Sequence, residues 1–508
     1  MNDKKTKNIL NVLFFIFLAL VIANRFALYF LLNFDFIDND QPIMWLGTED
    51  FSKGIFHEPR FYGQSYNTML EALLAVPFYK LGIPTYECVP AVTHFLALFP
   101  FLFTSFYLFF KNEKAKAVVV LGGLLCLTTG YDIVTGIPRG FVTGIFFTSF
   151  FIISLYNPKK YTYILLNSFL AYVAYLVNPN SVVVSVPCLF YLWLQNYTEK
   201  SFYIYAAIGL VLALPIDYGL NHFYKVHPNY IVHGGENDFS FTYFTDAITH
   251  LNDRFAHISP FKDQQDTTLL VLCFALLIVF YKKNKALLYS MLLMLFIVLV
   301  SFSYSKTQDG NPWVFYSFSR MYIGIPLVIL LLISLLNIKA NKFFYLFASI
   351  VFLFSVFKFT TIKKSIVFHT DEKIRDRMQV ISLKNLKDFV MHYKIIADRY
   401  HANDLIFVEN YWQQDYLVYA GSTLMEDFPN TLNPHYDRRT WRMQEENTTV
   451  RKTFLLFSGS KTFFDTHKIP SGKLTQIDEW GLYLVTDNTL TTIDFLRKTG
   501  FSVIPFKD

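Results

Sequence analysis

Asp35, Asp38, Asp40, Glu49 and Asp50 crowd into "NFDFIDNDQPIMWLGTEDF", residues 33–51, directly after the first long apolar segment of the chain. The same stretch carries Phe, Ile, Trp and Met. A loop that needed only solvation would be served by Ser or Asn, so carboxylates held against aromatics at a membrane surface point to a site. A second group follows in "HEPRFYG", where Glu58, Arg60 and Tyr62 bring a carboxylate, a guanidinium and a phenol together. Three more arginines stand in short polar links: Arg139 in "GIPRGF", Arg254 in "LNDRFAH" and Arg320 in "FYSFSR".

Each of these residues also has a plainer reading. Asp40 precedes an apolar run, where Asp is a good helix N-cap. Asp38 is read as an assistant, a metal ligand or a solvated charge, and Glu49 and Asp50 as members of a solvated helix face. Glu58 and Arg60 are placed to pair with each other. Arg254 reads equally as surface charge, and Arg320 as a snorkelling anchor at a helix start, the role also expected of Arg25. His222, His227, His233, His250 and His257 share one long loop, but their spacing matches no zinc ligand set and Cys partners are missing. The residues call for no metal; a divalent cation at Asp38 is compatible with them and the cofactor stays open.

The elements that position these groups belong to a membrane protein. Of 508 residues 53% are hydrophobic and 17% charged, against roughly 25% charged in average soluble chains, and the mean hydropathy is +0.32. Apolar runs alternate with short charged links up to about residue 362, and then stop. This predicts an α-helical polytopic membrane domain over 1–362 and a small α/β domain over 363–508. Candidate spans, about eleven, cover 9–32, 89–110, 116–132, 140–156, 161–177, 181–196, 201–219, 267–281, 285–304, 318–337 and 342–362. The first reads as an uncleaved signal anchor.

The net charge of +6 sits mainly in "MNDKKTKN", "KNEKAK", "NPKKY", "YKKNKA" and "NIKANK". That is the positive-inside pattern of short membrane loops, and no basic face interleaves with aromatics as nucleic-acid binding needs. With the N-terminus cytoplasmic, the alternation puts the acidic loop and the tail outside. Residues 69–81 are too short and too interrupted to span, and read as a helix lying in the interface. The other outside pieces are "TTGYDIVTGIPRGF", "NPNS", the loop 220–266 and "YSKTQDGNPWVFYSFSR". Cys88, Cys126, Cys188 and Cys273 lie in or beside apolar segments and imply no disulfide framework. In the tail, "DLIFVEN", "TFLLFSG", "GLYLVTD" and "FSVIPF" read as strands, and the stretch 372–400 has helical spacing.

A signal-anchor helix, an acidic first outside loop, a "G.F..P..YG" stretch and an interfacial helix ending "P...LG" resemble the membrane-embedded C-type glycosyltransferases. Protein O-mannosyltransferases, aminoarabinose transferases of lipid A and lipopolysaccharide-core sugar transferases belong to that class. The resemblance covers 1–362 in architecture, and its sharp motif is confined to 38–84. It implies transfer of a sugar from a polyprenyl-phosphate carrier to a glycan, lipid or protein acceptor outside the bacterial cytoplasmic (inner) membrane. Many members carry an adjacent Asp-Glu pair in this loop; here the match is Asp40-Gln41, with Asp38 two positions earlier. Within that reaction Asp40 is the expected general base, taking the acceptor's proton, and Asp38 its assistant. Glu58, Arg60 and Tyr62 become candidates for substrate binding, and Arg139, Arg254 and Arg320 for the leaving phosphate. The competing readings are a polysaccharide or lipid transporter, which would favour duplicated halves and mid-membrane charges, and a surface-polysaccharide polymerase or ligase working from the 220–266 loop.

The basic-link alternation makes a direct prediction. Reporter fusions after residues 113 and 283 are expected to read as cytoplasmic, and fusions after residue 60 and at the C-terminus as external. A cytoplasmic C-terminus would break the alternation and take the acidic loop's outside location with it.

Overall fold

The computed structural model describes all residues except 1–2, 65, 229, 231–236, 263–265, 371–379, 408–411, 434–436, 443–452, 458–473, 478–481, 487–489 and 499–508. The first apolar run forms α1 (Asp3–Leu32). The acidic loop then folds into α2 (Asp40–Ser52), and residues 69–81 into the short helix α3 (Leu70–Lys80). Next come α4 (Thr85–Phe110), α5 (Lys114–Leu125) and the single turn-and-a-half α6 (Thr129–Val134). α1 packs against α4, α5, α6 and the late helix Lys342–His369. Tyr161–Val177 packs along Lys200–Val226. Their close approach is set at Gly209, where a Cβ would stand 2.3 Å from the Leu165 carbonyl oxygen.

Among the described residues, four helices are long and apolar enough to cross a membrane: Lys5–Leu32, Thr85–Phe110, Lys200–Val226 and Lys342–His369. Shorter apolar helices occupy several of the other expected spans, including Tyr161–Val177, Lys285–Ser301 and Ile325–Ser334. The expected span 116–132 breaks after Leu125, and 140–156 divides into Thr143–Phe147, a 3-10 turn Thr148–Phe150 and Phe151–Tyr156. The hydroxyls explain the second break, because Thr148 Oγ1 donates to the Ile145 carbonyl at 2.6 Å and Ser149 Oγ to that of Phe146. The span expected at 318 starts as a helix only at Ile325, where Pro326 suits the first turn.

A charged joint lies inside this helical body. Asp132 on α6 meets Arg25 of α1 at 3.2 Å and Lys358 of the late helix at 2.5 Å, and accepts from Asn24 Nδ2 at 2.6 Å. Arg25 also donates to the Asp132 carbonyl and to Thr135 Oγ1, and Lys358 to the Leu127 carbonyl. Arg25 is therefore buried and paired. It does not snorkel, because its partner stands beside it at the same depth.

The tail opens with the helix Leu383–Tyr400, capped by Ser382 and ended by His401 in the left-handed region at φ 51°. Among the described residues five strands follow: β1 (Asp404–Phe407), β2 (Asn430–Leu432), β3 (Thr453–Phe457), β4 (Leu474–Gln476) and β5 (Leu482–Thr486). The sheet order is β2-β1-β3-β5-β4, with β1 parallel to β2 and β3, and β5 antiparallel to β3 and β4. The strands expected in "DLIFVEN", "TFLLFSG" and "GLYLVTD" are present; "FSVIPF" and residues 371–379 of the expected helix lie outside the described residues. The tail docks on the acidic loop. Ile37 and Ile381 exchange both backbone hydrogen bonds at 2.9 Å, and Leu383 N–H donates to the Phe34 carbonyl at 2.7 Å. The helix Trp412–Leu424 packs on α2, and Tyr416 donates to the Ile37 carbonyl.

The joint predicts an asymmetric response to substitution. Asp132→Ala leaves two buried cations facing each other and is expected to cost about 3–5 kcal/mol, seen as a large fall in thermal stability in detergent. Lys358→Met leaves the neutral Arg25–Asp132 pair and is expected to cost far less. Equal losses from the two variants would show that Lys358 is as necessary as Asp132.

Candidate active site

The site begins with the start of α2. Asp38 Oδ1 accepts from the backbone N–H groups of Asp40 and Gln41, both at 3.1 Å, so Asp38 satisfies two of the helix's open donors. The capping role considered for Asp40 thus falls to Asp38. Gln41, where the resembled family carries Glu, donates its amide to the Phe36 carbonyl at 3.1 Å. The other Asp38 oxygen is held by Arg139, which also donates to the Phe315 carbonyl. Asp38 is buried; the Asp40 carboxylate, two positions further on, keeps 24% of its side chain exposed.

Arg139 is placed by a web of polar contacts among several loops. Gly140 follows it with φ +76°, which turns its N–H onto Glu71 Oε2 of α3 at 3.0 Å. Asn178 of "NPNS" donates to Asn67 Oδ1 at 2.7 Å and to the Gly140 carbonyl at 2.9 Å. Asn180 reaches the Phe141 and Arg320 carbonyls at 2.9 and 3.3 Å. The acidic loop, the "GIPRGF" turn, "NPNS" and the 305–320 segment therefore meet at one place.

Arg320 and Arg254 belong to the 305–320 side of this place. Arg320 donates to the carbonyls of Asp309, Tyr316 and Ser317 and lies over the Tyr316 ring at 4.0 Å. Arg254 donates to the Thr307 carbonyl at 2.6 Å and to Gln308, and lies over the Phe318 ring at 3.9 Å. The side chains of Arg139, Arg254 and Arg320 are only 5%, 2% and 4% exposed. Arg254 is not surface charge and Arg320 is not an interfacial anchor, since carbonyls of a folded loop surround both. Lys306 is more open, 3.1 Å from Asp309 and 4.0 Å from the Tyr66 ring centre.

The second carboxylate group is also built in. Glu58 accepts from Gly63 N–H and from Tyr224 Oη, each at 2.9 Å, while Arg60 turns to the Leu176 carbonyl at 3.4 Å, so these two do not pair with each other. Burial pushes the Glu58 carboxyl up to about 8. Tyr62 is buried and donates to Asp50 Oδ2 at 2.9 Å, and His57 stands 3.7 Å from the same oxygen. Burial raises Asp50, with the Tyr62 hydrogen bond opposing it, and lifts Glu49 to about 7. Glu49 and Asp50 face the protein rather than solvent. Of the loop histidines, His257 is buried against the Pro312 carbonyl, and His233 lies outside the described residues. Among the described residues no group of three His, Cys, Asp or Glu is disposed to hold a metal ion.

The tail completes the surroundings, which the sequence reading missed. Arg438 Nη2 stands 3.6 Å from Asp40 Oδ1. Trp441 stacks on His57 at 4.3 Å, meets the Tyr62 ring edge-on at 4.6 Å and lies 5.7 Å from Tyr230. The signal available in the sequence was "YDRRTWR", residues 436–442, a dense basic and aromatic run.

Helices in this order, with a polar site under the loop 33–51 and an α/β unit docked on it, share their fold with a solved protein. The particular likeness is to ArnT from Cupriavidus metallidurans in the apo state, with a TM-score of 0.54 and 11% identity over 92% of this chain and 97% of that one. The same protein bound to undecaprenyl phosphate gives a TM-score of 0.53 at 11% identity, with the same coverage. At such identity the likeness is one of fold. No family model matches the chain, and no curated protein matches its sequence at a significant level.

Glu58 gives the site a measurable signature. Its folded value of about 8 lies above its ordinary 4.5, so the folded state binds the proton more tightly and stability falls as pH rises between those values. Glu58→Gln keeps an acceptor for Gly63 and loses the titration. Thermal unfolding of the variant is expected to be less sensitive to pH across that window than the wild type. Identical slopes would show that Glu58 is not held protonated.

Proposed function

We propose that the chain is an integral-membrane glycosyltransferase that moves a sugar from a polyprenyl-phosphate carrier to an acceptor on the outer side of the bacterial inner membrane. The observation that carries this reading is the division of labour at the start of α2. Asp38 is committed to two backbone donors and to Arg139, while Asp40 beside it keeps an accessible carboxylate. The fold shared with a protein solved in complex with undecaprenyl phosphate supports the donor class.

In this reading the acceptor's hydroxyl or amine attacks the anomeric carbon from the face opposite the phosphate. The new bond forms as the sugar–phosphate oxygen bond breaks, its electron pair leaving with polyprenyl phosphate. Asp40 takes the acceptor's proton. Asp38 and Arg139 act together to fix the start of α2, and so the direction of Asp40. Residues 1–362 form the membrane-embedded transferase and 363–508 an outside unit, with the N-terminus cytoplasmic.

Asp40→Asn tests this directly. The side-chain contacts that start α2 come from Asp38, so the variant is expected to fold and to bind carrier lipid normally while transfer falls by about 10² or more. Asp38→Asn is expected to weaken folding as well, because it loosens a buried ion pair. The assay is sugar transfer by purified protein in vesicles. Near wild-type transfer by Asp40→Asn would remove Asp40 as the base, and lipid or glycan flux without any transfer would favour the transporter reading.

A further inference from the structure

The first helix of the tail, Leu383–Tyr400, stands where two membrane-length helices end. Leu383 N–H donates to the Phe34 carbonyl at 2.7 Å, two residues beyond the end of α1. One turn on, Lys387 Nζ donates to Tyr86 Oη at 3.1 Å and lies 4.2 Å from the centre of its ring, in the first turn of α4. α1 and α4 pack on each other, and both are long and apolar enough to cross a membrane. These two contacts therefore hold the start of the tail helix at the level where the spans leave the hydrocarbon. The late helix Lys342–His369 reaches the same level. Its Lys358 stands beside Asp132 together with Arg25 of α1, so Lys363 and Lys364, about one turn and a half later, come level with the end of α1. Both lysines are exposed.

The tail helix has two faces of different character. Leu386, Val390, Tyr393, Ile396 and Ala397 are buried, and the helix packs on Trp412–Leu424. On the opposite side the spacing 387, 391, 395 brings Lys387, Met391 and Ile395 into one line, with Lys384 and Arg399 beside it. Met391 is 47% and Ile395 52% exposed, and Lys384 and Arg399 are exposed as well. Asp388 shares this face, whereas Asp398 is held by Lys394. Near the Tyr86 anchor, Leu81 is 79% exposed and Ile83 is exposed beside it. A single exposed apolar residue needs no explanation. Here two of them lie between basic groups on a helix pinned to the ends of two spans. That is the pattern of a helix in the membrane interface, with apolar side chains at the acyl boundary and the charges of Lys and Arg carried to the headgroups.

We infer that the helix Leu383–Tyr400 lies on the membrane surface and binds anionic phospholipid headgroups. Met391 and Ile395 enter the acyl boundary, Lys384 and Arg399 meet the headgroup phosphates, and Lys387 anchors the helix to Tyr86. Lys363 and Lys364 extend the same basic rim. The inference rests on the membrane-embedded reading given above and not on the sugar-transfer chemistry. The tail is thereby held at the site by lipid as well as by its backbone pairing with Ile37.

The test places a nitroxide on Met391→Cys or Ile395→Cys in the full-length protein, whose four native cysteines are buried. Collisions with oxygen, which concentrates among acyl chains, and with a water-soluble nickel chelate report the surroundings of each label. Phe95→Cys, at an exposed position in the middle of α4, is the lipid standard. In vesicles of phosphatidylcholine mixed with phosphatidylglycerol, both tail labels are expected to favour oxygen as the standard does. In phosphatidylcholine alone they are expected to shift toward the chelate. Adding Lys384→Gln and Arg399→Gln is expected to lower the ratio of immersed to exposed label in the mixed vesicles by about fivefold for each charge removed. Labels that prefer the chelate in both membranes overturn the inference, as does immersion indifferent to phosphatidylglycerol. Protection from both reagents means a protein occupant, a second copy of the chain included, and overturns it too. A standard that itself prefers the chelate removes the membrane reading, and the inference with it. The two tail positions stand in for each other if one labelled protein does not fold.

Discussion

The ion pair between Asp38 and Arg139 is the contact on which the loops around α2 depend. Burying two charges is costly, and the cost is recovered only where geometry is good and every remaining donor and acceptor is used. Asp38 spends its second oxygen on the first backbone donors of α2, and Arg139 reaches on to the Phe315 carbonyl. One pair therefore fixes the start of α2, the "GIPRGF" turn and the 311–320 loop relative to one another. The partly open carboxylate of Asp40 takes its direction from that arrangement.

Within the helical body, the Arg25–Asp132–Lys358 joint does comparable work for the helices. It ties α1, α6 and the helix Lys342–His369 at one level. Charges inside a membrane protein persist where they face the bundle and pair with one another, and here the pairing links the first helix to the last of the membrane part. α6 carries both Asp132 and, just beyond its end, the turn that delivers Arg139. The two buried charge clusters are thus stacked along one short segment, and a shift in the lower one would be felt in the upper.

The tail changes the meaning of the first loop. Its backbone pairs with Ile37, three residues before the start of α2, and its Trp441 closes over His57 and Tyr62. Carboxylates that would be solvated on an isolated loop become enclosed, which is why burial raises Glu49, Asp50 and Glu58. The transporter reading assigns no task to such an enclosed acidic loop. The polymerase reading places the chemistry in the 220–266 loop, whereas Arg254 from that loop is used to hold the 307–308 turn.

Much of the architecture was legible in the sequence because it follows from local pattern. Apolar runs read as helices, the basic links gave an orientation to test, and alternating short runs in the tail announced the strands of the sheet. The importance of residues 33–51 was legible too, since carboxylates among aromatics have few bland explanations. The break within 140–156 was not, because side-chain hydroxyls that bond to the preceding turn interrupt helices without changing mean hydropathy. Nor could the sequence tell which of two neighbouring aspartates caps α2, for both have the right chemistry at the right spacing. Pairing decided it: Arg139, about a hundred residues away, arrives within reach of Asp38. Arg438 lies still further along the chain, and only the docking of the tail on the first loop brings its charge to Asp40. Periodicity and composition are local properties, whereas the partner of a buried charge is settled by which distant segments the fold packs together.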